Sequence, residues 1–231
     1  MARLPRWSAP GHLHQVLQRG VAGMPIFRDA QDYAAFIDAL RLASTEHRVA
    51  IHAYALLPSR IHLLATPQDG DGLSRTMQAA GRRYVLSHNR RHGRSGTLWD
   101  GRFRATVVEA ECHWLACRVQ VESAPVREGL ASQAADYPWS SAAYHCGLRD
   151  DPLVTPHSLD WGLGNTPFDR EMARKLLLER GLPTAVQMSI EHAVEKGWAL
   201  GSPAFLAQLE QQTHRRARPG QAGRPVKRIV K

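Results

Sequence analysis

Between residues 49 and 66 two strand-like runs, VAIHAYALL and RIHLLAT, are separated only by Pro58 and Ser59. A connection this short between two runs rich in β-branched and apolar residues allows an antiparallel hairpin and little else. What flanks the hairpin restricts the fold further. Upstream, residues 12–19 (HLHQVLQR) read as a strand ended by Gly20. Residues 29–47 then place Tyr33, Phe36, Ile37, Leu40 and Ala43 at the spacing of one helical face, with Asp29 positioned as the N-cap. Downstream, residues 71–92 carry Leu73, Met77, Ala80, Tyr84 and Leu86 on a second helical pattern, which Gly93 and Gly96 stop. Residues 103–109 (FRATVVE) read as a fourth strand, and residues 112–122 as a helix that Pro125 ends.

The order is β-α-β-β-α-β followed by a helix, which predicts an α+β chain. Its core is a ferredoxin-like split β-α-β arrangement, an antiparallel sheet with helices on one face, plus a small C-terminal helical extension. Four segments are expected. Residues 1–146 form the main domain, and residues 147–167, rich in Gly, Pro and Asp, a linker. Residues 168–214 form the extension, with helices at 168–180, 185–196 and 203–213. Residues 215–231 are a basic tail with too few apolar residues to fold alone.

Charge narrows the partners. The 231 residues hold 30 Lys+Arg against 21 Asp+Glu, a formal net charge of +9. Seven of the basic residues lie in the last 17 positions, RRARPGQAGRPVKRIVK, which contain no acid; the body without them carries only +2. Residues 82–104 hold seven arginines (Arg82, Arg83, Arg90, Arg91, Arg94, Arg102 and Arg104) against one acid, Asp100. These arginines are interleaved with His88, Asn89, Trp99 and Phe103, a pattern suited to phosphate contacts and base stacking. Cations at a helix C-terminus also complement its dipole, but seven exceed that need. Gly223-Arg224-Pro225 in the tail, followed by Lys227 and Arg228, is similar to a minor-groove hook. A disordered basic tail with salt-sensitive phosphate affinity fits it equally. Arg224, Lys227 and Arg228 join the seven arginines as candidate DNA contacts.

No run approaches the ~18 apolar residues of a membrane span, and no apolar stretch follows the N-terminal MARLPRWSAPGHLHQ as a signal peptide requires. Cys112, Cys117 and Cys146 are odd in number and make no CxxC pair, so a reducing, cytoplasmic setting is expected.

The run from Gly11 through Trp139 resembles the REP-associated tyrosine transposases and their single-tyrosine HUH relatives. The resemblance rests on PGHLHQVLQRG, AYALLPSRIHLL, LSRTMQ, YVLSHNRRHGRSGTLWDGRFRATVVE, APVREGL and YPWSS, in that order. Active members of that family hold a divalent metal, Mg²⁺ or Mn²⁺, between two strand histidines and a helix amide. A tyrosine one turn before the amide attacks the DNA phosphate. The resemblance also implies homodimers acting on single-stranded hairpin DNA in the bacterial nucleoid.

Mapped onto this chain, the histidine pair falls on Arg60 and His62, which share one face of a strand. The shared Pro-Val-Arg anchors the tyrosine position at Gln120 and the amide position at Ala124. Only His62 keeps its chemistry, so no cofactor is expected, and Arg60 with His62 suits an anion without a metal. Neither Tyr84, on an apolar helix face, nor Tyr137, in the YPWSS turn, is expected to replace the nucleophile. The resemblance therefore implies a DNA-binding protein, transposase by ancestry, that neither cuts nor joins. The alternatives are an active transposase with an unrecognised nucleophile and a hairpin binder put to another use. The arginine patch is expected beside the ancestral active-site face.

Overall fold

A computed structural model describes residues 8–219. Four strands, β1 (Leu13–Arg19), β2 (Val49–Leu57), β3 (Arg60–Pro67) and β4 (Arg104–Val108), make one sheet in the order β2-β3-β1-β4. Every neighbouring pair is antiparallel. The hairpin turns at Pro58 and Ser59 with Leu57 opposite Arg60, as the sequence requires.

Helix α1 (Ala30–Glu46) begins at Asp29, whose carboxylate accepts the backbone N–H groups of Gln31 and Asp32. Helix α2 (Gly72–His92) ends at Gly93, which takes the left-handed conformation at φ 60°. Both cover one face of the sheet. There Phe36, Leu40, Met77, Ala80 and Tyr84 close over Val16, Tyr54, Leu56, Ile61 and Leu63. This is the ferredoxin-like split β-α-β expected from the pattern.

The opposite face is covered as well. Helix α3 (Ala110–Glu122) buries Trp114, Cys117 and Val121 against Leu13, Ala53, Ala55 and Leu64, and Ala124 of the short α4 (Ala124–Arg127) joins them. The remaining helices are α5 (Ala142–His145), α6 (Pro167–Arg180), α7 (Thr184–Lys196) and α8 (Pro203–Thr213). Helix α7 folds back beside α3, adding Ile190 and Ala193 to the same apolar cluster. The extension is thus part of a third layer. Helix α8 seats Leu209 against Ala9 and Val107.

Residues 147–167 run along the edge strand β2. Val154 bridges Ile51, the Thr155 N–H reaches the Ile51 carbonyl at 2.7 Å, and Leu153 and Val154 are buried in the first core. The YPWSS turn covers the rest of that edge. Leu56 N–H donates to the Trp139 carbonyl at 2.9 Å, and Ser140 bridges Ala55. An exposed strand edge is a template for aggregation, and these two segments remove it. Among the described residues no helix is long and apolar enough to cross a membrane.

Candidate nucleic-acid interface and ancestral active-site positions

The alternation of β3 sends Arg60 and His62 to the α3/α7 face and Ile61 to the α1/α2 face. His62 lies opposite Leu17 on β1 and Ala55 on β2. On α3, Gln120 reaches the same spot. Arg60, His62 and Gln120 line one cavity of about 170 Å³ together with Gln15, Leu17, Arg19, Glu191, Val194 and Glu195. Ala124 lies one turn beyond Gln120 in the apolar cluster beneath, beside Ala55 and Leu57. The positions assigned to the family's histidine pair and tyrosine therefore meet, and the amide position adjoins them.

The cavity is held by ion pairs. Arg60 binds Glu128 at 3.0 Å. Arg19 and Arg104 both bind Glu195 of α7, and the Gln120 amide donates to Glu191 of α7 at 2.9 Å. Arg127 donates to the Gln120 carbonyl at 2.8 Å. Burial, followed by the charges of Arg127, Arg60 and Arg19, pushes the His62 imidazole down to about 3. His62 is therefore neutral throughout the physiological range.

These residues do not suit a divalent ion. His62 is the sole imidazole, Gln120 is engaged by Glu191, Ala124 has no donor atom, and three guanidinium groups repel a cation. Glu195 is already held by two arginines. His52, on β2, is committed elsewhere, with its ring nitrogens on the Thr155 carbonyl at 2.8 Å and the Thr66 hydroxyl at 3.0 Å.

The tyrosines are structural. Tyr84 is buried, and its hydroxyl donates to the Ile26 carbonyl. Tyr137 is buried too, its hydroxyl donating to the Leu56 carbonyl at 2.7 Å. Desolvation raises both phenols far above their ordinary range, so neither offers a phenolate.

Apart from Arg104, which binds Glu195 on the His62 face, the arginine-rich run lies toward the other side of the sheet. A groove of about 760 Å³ opens between α2 and the loop that leads into β4. Its walls carry Arg82, Asn89, Trp99, Arg102 and Phe103, and its floor includes Gln18 and Ile61. Gln18 and Ile61 occupy the α1/α2 face and His62 the reverse, so this groove and the cavity at His62 sit on opposite faces of the sheet. The sequence reading, which set them side by side, is corrected here: the alternation that aims His62 downward aims Ile61 and Gln18 upward.

Not all seven arginines are available. Arg83 binds Glu46 at 2.7 Å, Arg91 binds Asp29 and Asp32, and Arg104 binds Glu195. Arg82, Arg90 and Arg94 have no acidic partner among the described residues. Trp99 is half-buried; its indole packs 3.1 Å from where a Cβ on Gly81 would stand, so Gly81 is what admits it. Arg224, Lys227 and Arg228 lie outside the described residues.

Sequence reasoning sought ligands at positions 60, 62, 120 and 124, with His52 beside His62 as a further candidate. It passed over Asp32, His88 and His92, whose donor atoms gather within 4.8 Å of one another. The i, i+4 spacing of the two histidines on a helix was the legible signal.

No family model matches the chain, and neither does any curated protein. Among solved structures, the chain is similar to one described as a REP-associated tyrosine transposase bound to a REP hairpin. That match has 15% identity and a TM-score of 0.55, covering 68% of this chain and 99% of that one. A structure described as a candidate transposase from Deinococcus radiodurans R1 matches with 21% identity and a TM-score of 0.36 over 49% of this chain and 92% of that one. The first likeness establishes a shared fold.

Proposed function

We propose that this chain is a DNA-binding protein of the REP-associated tyrosine transposase family that no longer nicks or joins DNA. Its DNA-binding unit spans residues 1–146, and residues 168–214 serve as a brace across the old active-site face. The observation that supports the reading is the cavity that Arg60, His62 and Gln120 line together, the positions onto which the sequence resemblance maps the family's catalytic side chains. Glutamine cannot become a phosphotyrosine. Arg60 supplies a fixed cation that repels a metal rather than a ligand that binds one.

Binding is assigned to the groove above α2. Arg82 and Arg102 supply phosphate contacts, Asn89 and Gln18 hydrogen-bonding edges, and Trp99 and Phe103 apolar surface for an unpaired base. This composition favours single-stranded or hairpin DNA over duplex, because an unpaired base can enter a groove that a stacked one cannot. The fold neighbour is likewise described as bound to a REP hairpin.

Two measurements test the reading. Hairpin DNA incubated with the full chain and Mn²⁺ should give neither nicked product nor covalent adduct; either product overturns the inactive assignment. In a binding assay at fixed salt, Arg82→Ala/Arg102→Ala should weaken hairpin binding about tenfold or more, since two phosphate contacts are lost. Unchanged affinity in that variant would remove the groove from consideration.

A further inference from the structure

A second ligand-bearing site lies where the N-terminus of α1 meets the C-terminus of α2. Asp32 comes from the first turn of α1, His88 and His92 from the last turns of α2. The two imidazoles face the same way because residues four apart share a helix face, and their rings are 4.4 Å apart. Asp32 Oδ2 is 3.0 Å from His92 Nε2 and 3.8 Å from His88 Nε2. With metal–ligand bonds of about 2.0–2.1 Å, a tetrahedral zinc ion sets its ligand atoms about 3.3 Å from each other. The observed distances straddle that value.

His88 supplies the independent sign that something is missing. Its side chain is fully buried, and neither ring nitrogen has a hydrogen-bond partner. Buried polar groups are rarely left so, and a cation beside Nε2 would satisfy the one that points at Asp32. The carboxylate is also braced from behind. Arg28 N–H donates to Oδ2 at 2.9 Å and Arg91 holds Oδ1 at 2.5 Å, the kind of outer contact that orients a metal-binding carboxylate.

We propose that Asp32, His88 and His92 bind a zinc ion that clamps α1 to α2. Two imidazole nitrogens and one carboxylate oxygen are a zinc donor set, and the fourth position opens on the side where His92 is partly exposed. The clamp fixes the end of the helix that carries Arg82 and Arg90. It is separate from the ancestral site, which lies across the sheet.

The test uses the full chain, stripped with EDTA and titrated with Co²⁺, whose visible absorption reports tetrahedral coordination, followed by displacement with Zn²⁺. One equivalent should bind, and Zn²⁺ should raise the melting temperature of the wild type. His92→Ala and Asp32→Asn should each weaken binding at least tenfold and abolish the thermal shift, while His62→Ala leaves both unchanged. His92 is the last residue of α2 and keeps some exposure, so its alanine variant disturbs the fold less than a change at the buried Asp32. Absence of stoichiometric uptake, uptake that survives His92→Ala, or uptake lost in His62→Ala would each overturn the proposal.

Discussion

Glutamate 122 is wholly buried at the end of α3, one side of a charged cluster that joins α3 to the YPWSS turn. Its Oε1 accepts the Ser141 hydroxyl and contacts His145 Nδ1. Arg118, equally buried, places its guanidinium near this carboxylate and 4.0 Å from Asp160, with no hydrogen bond to either. Burial alone would raise the Glu122 carboxyl, but His145, Arg118 and Ser141 outweigh it and hold the group below its ordinary value of 4.5.

Replacing Glu122 by Gln keeps the volume and removes the charge. His145 and Arg118 are then left with Asp160 as the remaining buried acid. Breaking a buried pair in this way costs about 3–5 kcal/mol, a large share of the roughly 5–15 kcal/mol that stabilises a domain. For a chain of this size the melting temperature should fall by about 6–20 °C. Urea unfolding at pH 7, with calorimetry alongside, measures both quantities. Because the folded carboxyl lies below its unfolded value, its stabilisation is complete above pH 4.5 and is lost as the pH falls through the folded value. The gap between wild type and Glu122→Gln should therefore close in acid. A gap of under about 1 kcal/mol at pH 7, or one that stays constant down to pH 3, would refute the reasoning.

Other consequences are equally direct. Gln120→Tyr restores the nucleophile's position without its metal, so a denaturing gel of hairpin DNA with Mn²⁺ should still show no covalent adduct. Glu195→Gln removes the acid that α7 sets against both Arg19 and Arg104. The log–log salt dependence of single-strand binding should then steepen by up to about 1.4, at roughly 0.7 per added phosphate contact. An unchanged slope would mean that nucleic acid does not reach that face. Tyr84→Phe deletes the buried hydroxyl bond to the Ile26 carbonyl and should cost about 1–3 kcal/mol in urea unfolding with no change in DNA affinity at low salt.

Most of the first layer was written into local chemistry. Pro58-Ser59 between two strand patterns left no alternative to the hairpin, Asp29 caps α1 as its position required, and Gly93 ends α2 in the left-handed conformation. That Arg60 and His62 share one face was also legible, because strand alternation puts residues two apart on the same side.

Three features were not legible, for one reason. An apolar stripe on a helix records that a face must be buried but not against what. Helix α7 therefore read as part of a separate extension, whereas Ile190 and Ala193 dock it on the sheet and carry Glu191 and Glu195 into the ancestral site. Counting arginines gave the charge of the patch, but the acids that neutralise Arg83, Arg91 and Arg104 lie 37, 59 and 91 positions away in the chain. Asp32 and the pair His88 and His92 are likewise brought together only by the packing of α1 on α2. The sequence by itself determined the element order and the caps, which depend on neighbours a few residues apart. Which arginines are paired, what lines the cavity at His62 and which ligand-type side chains gather were decided by tertiary structure, because an ion pair or a coordination sphere depends on distances in space that no local pattern encodes.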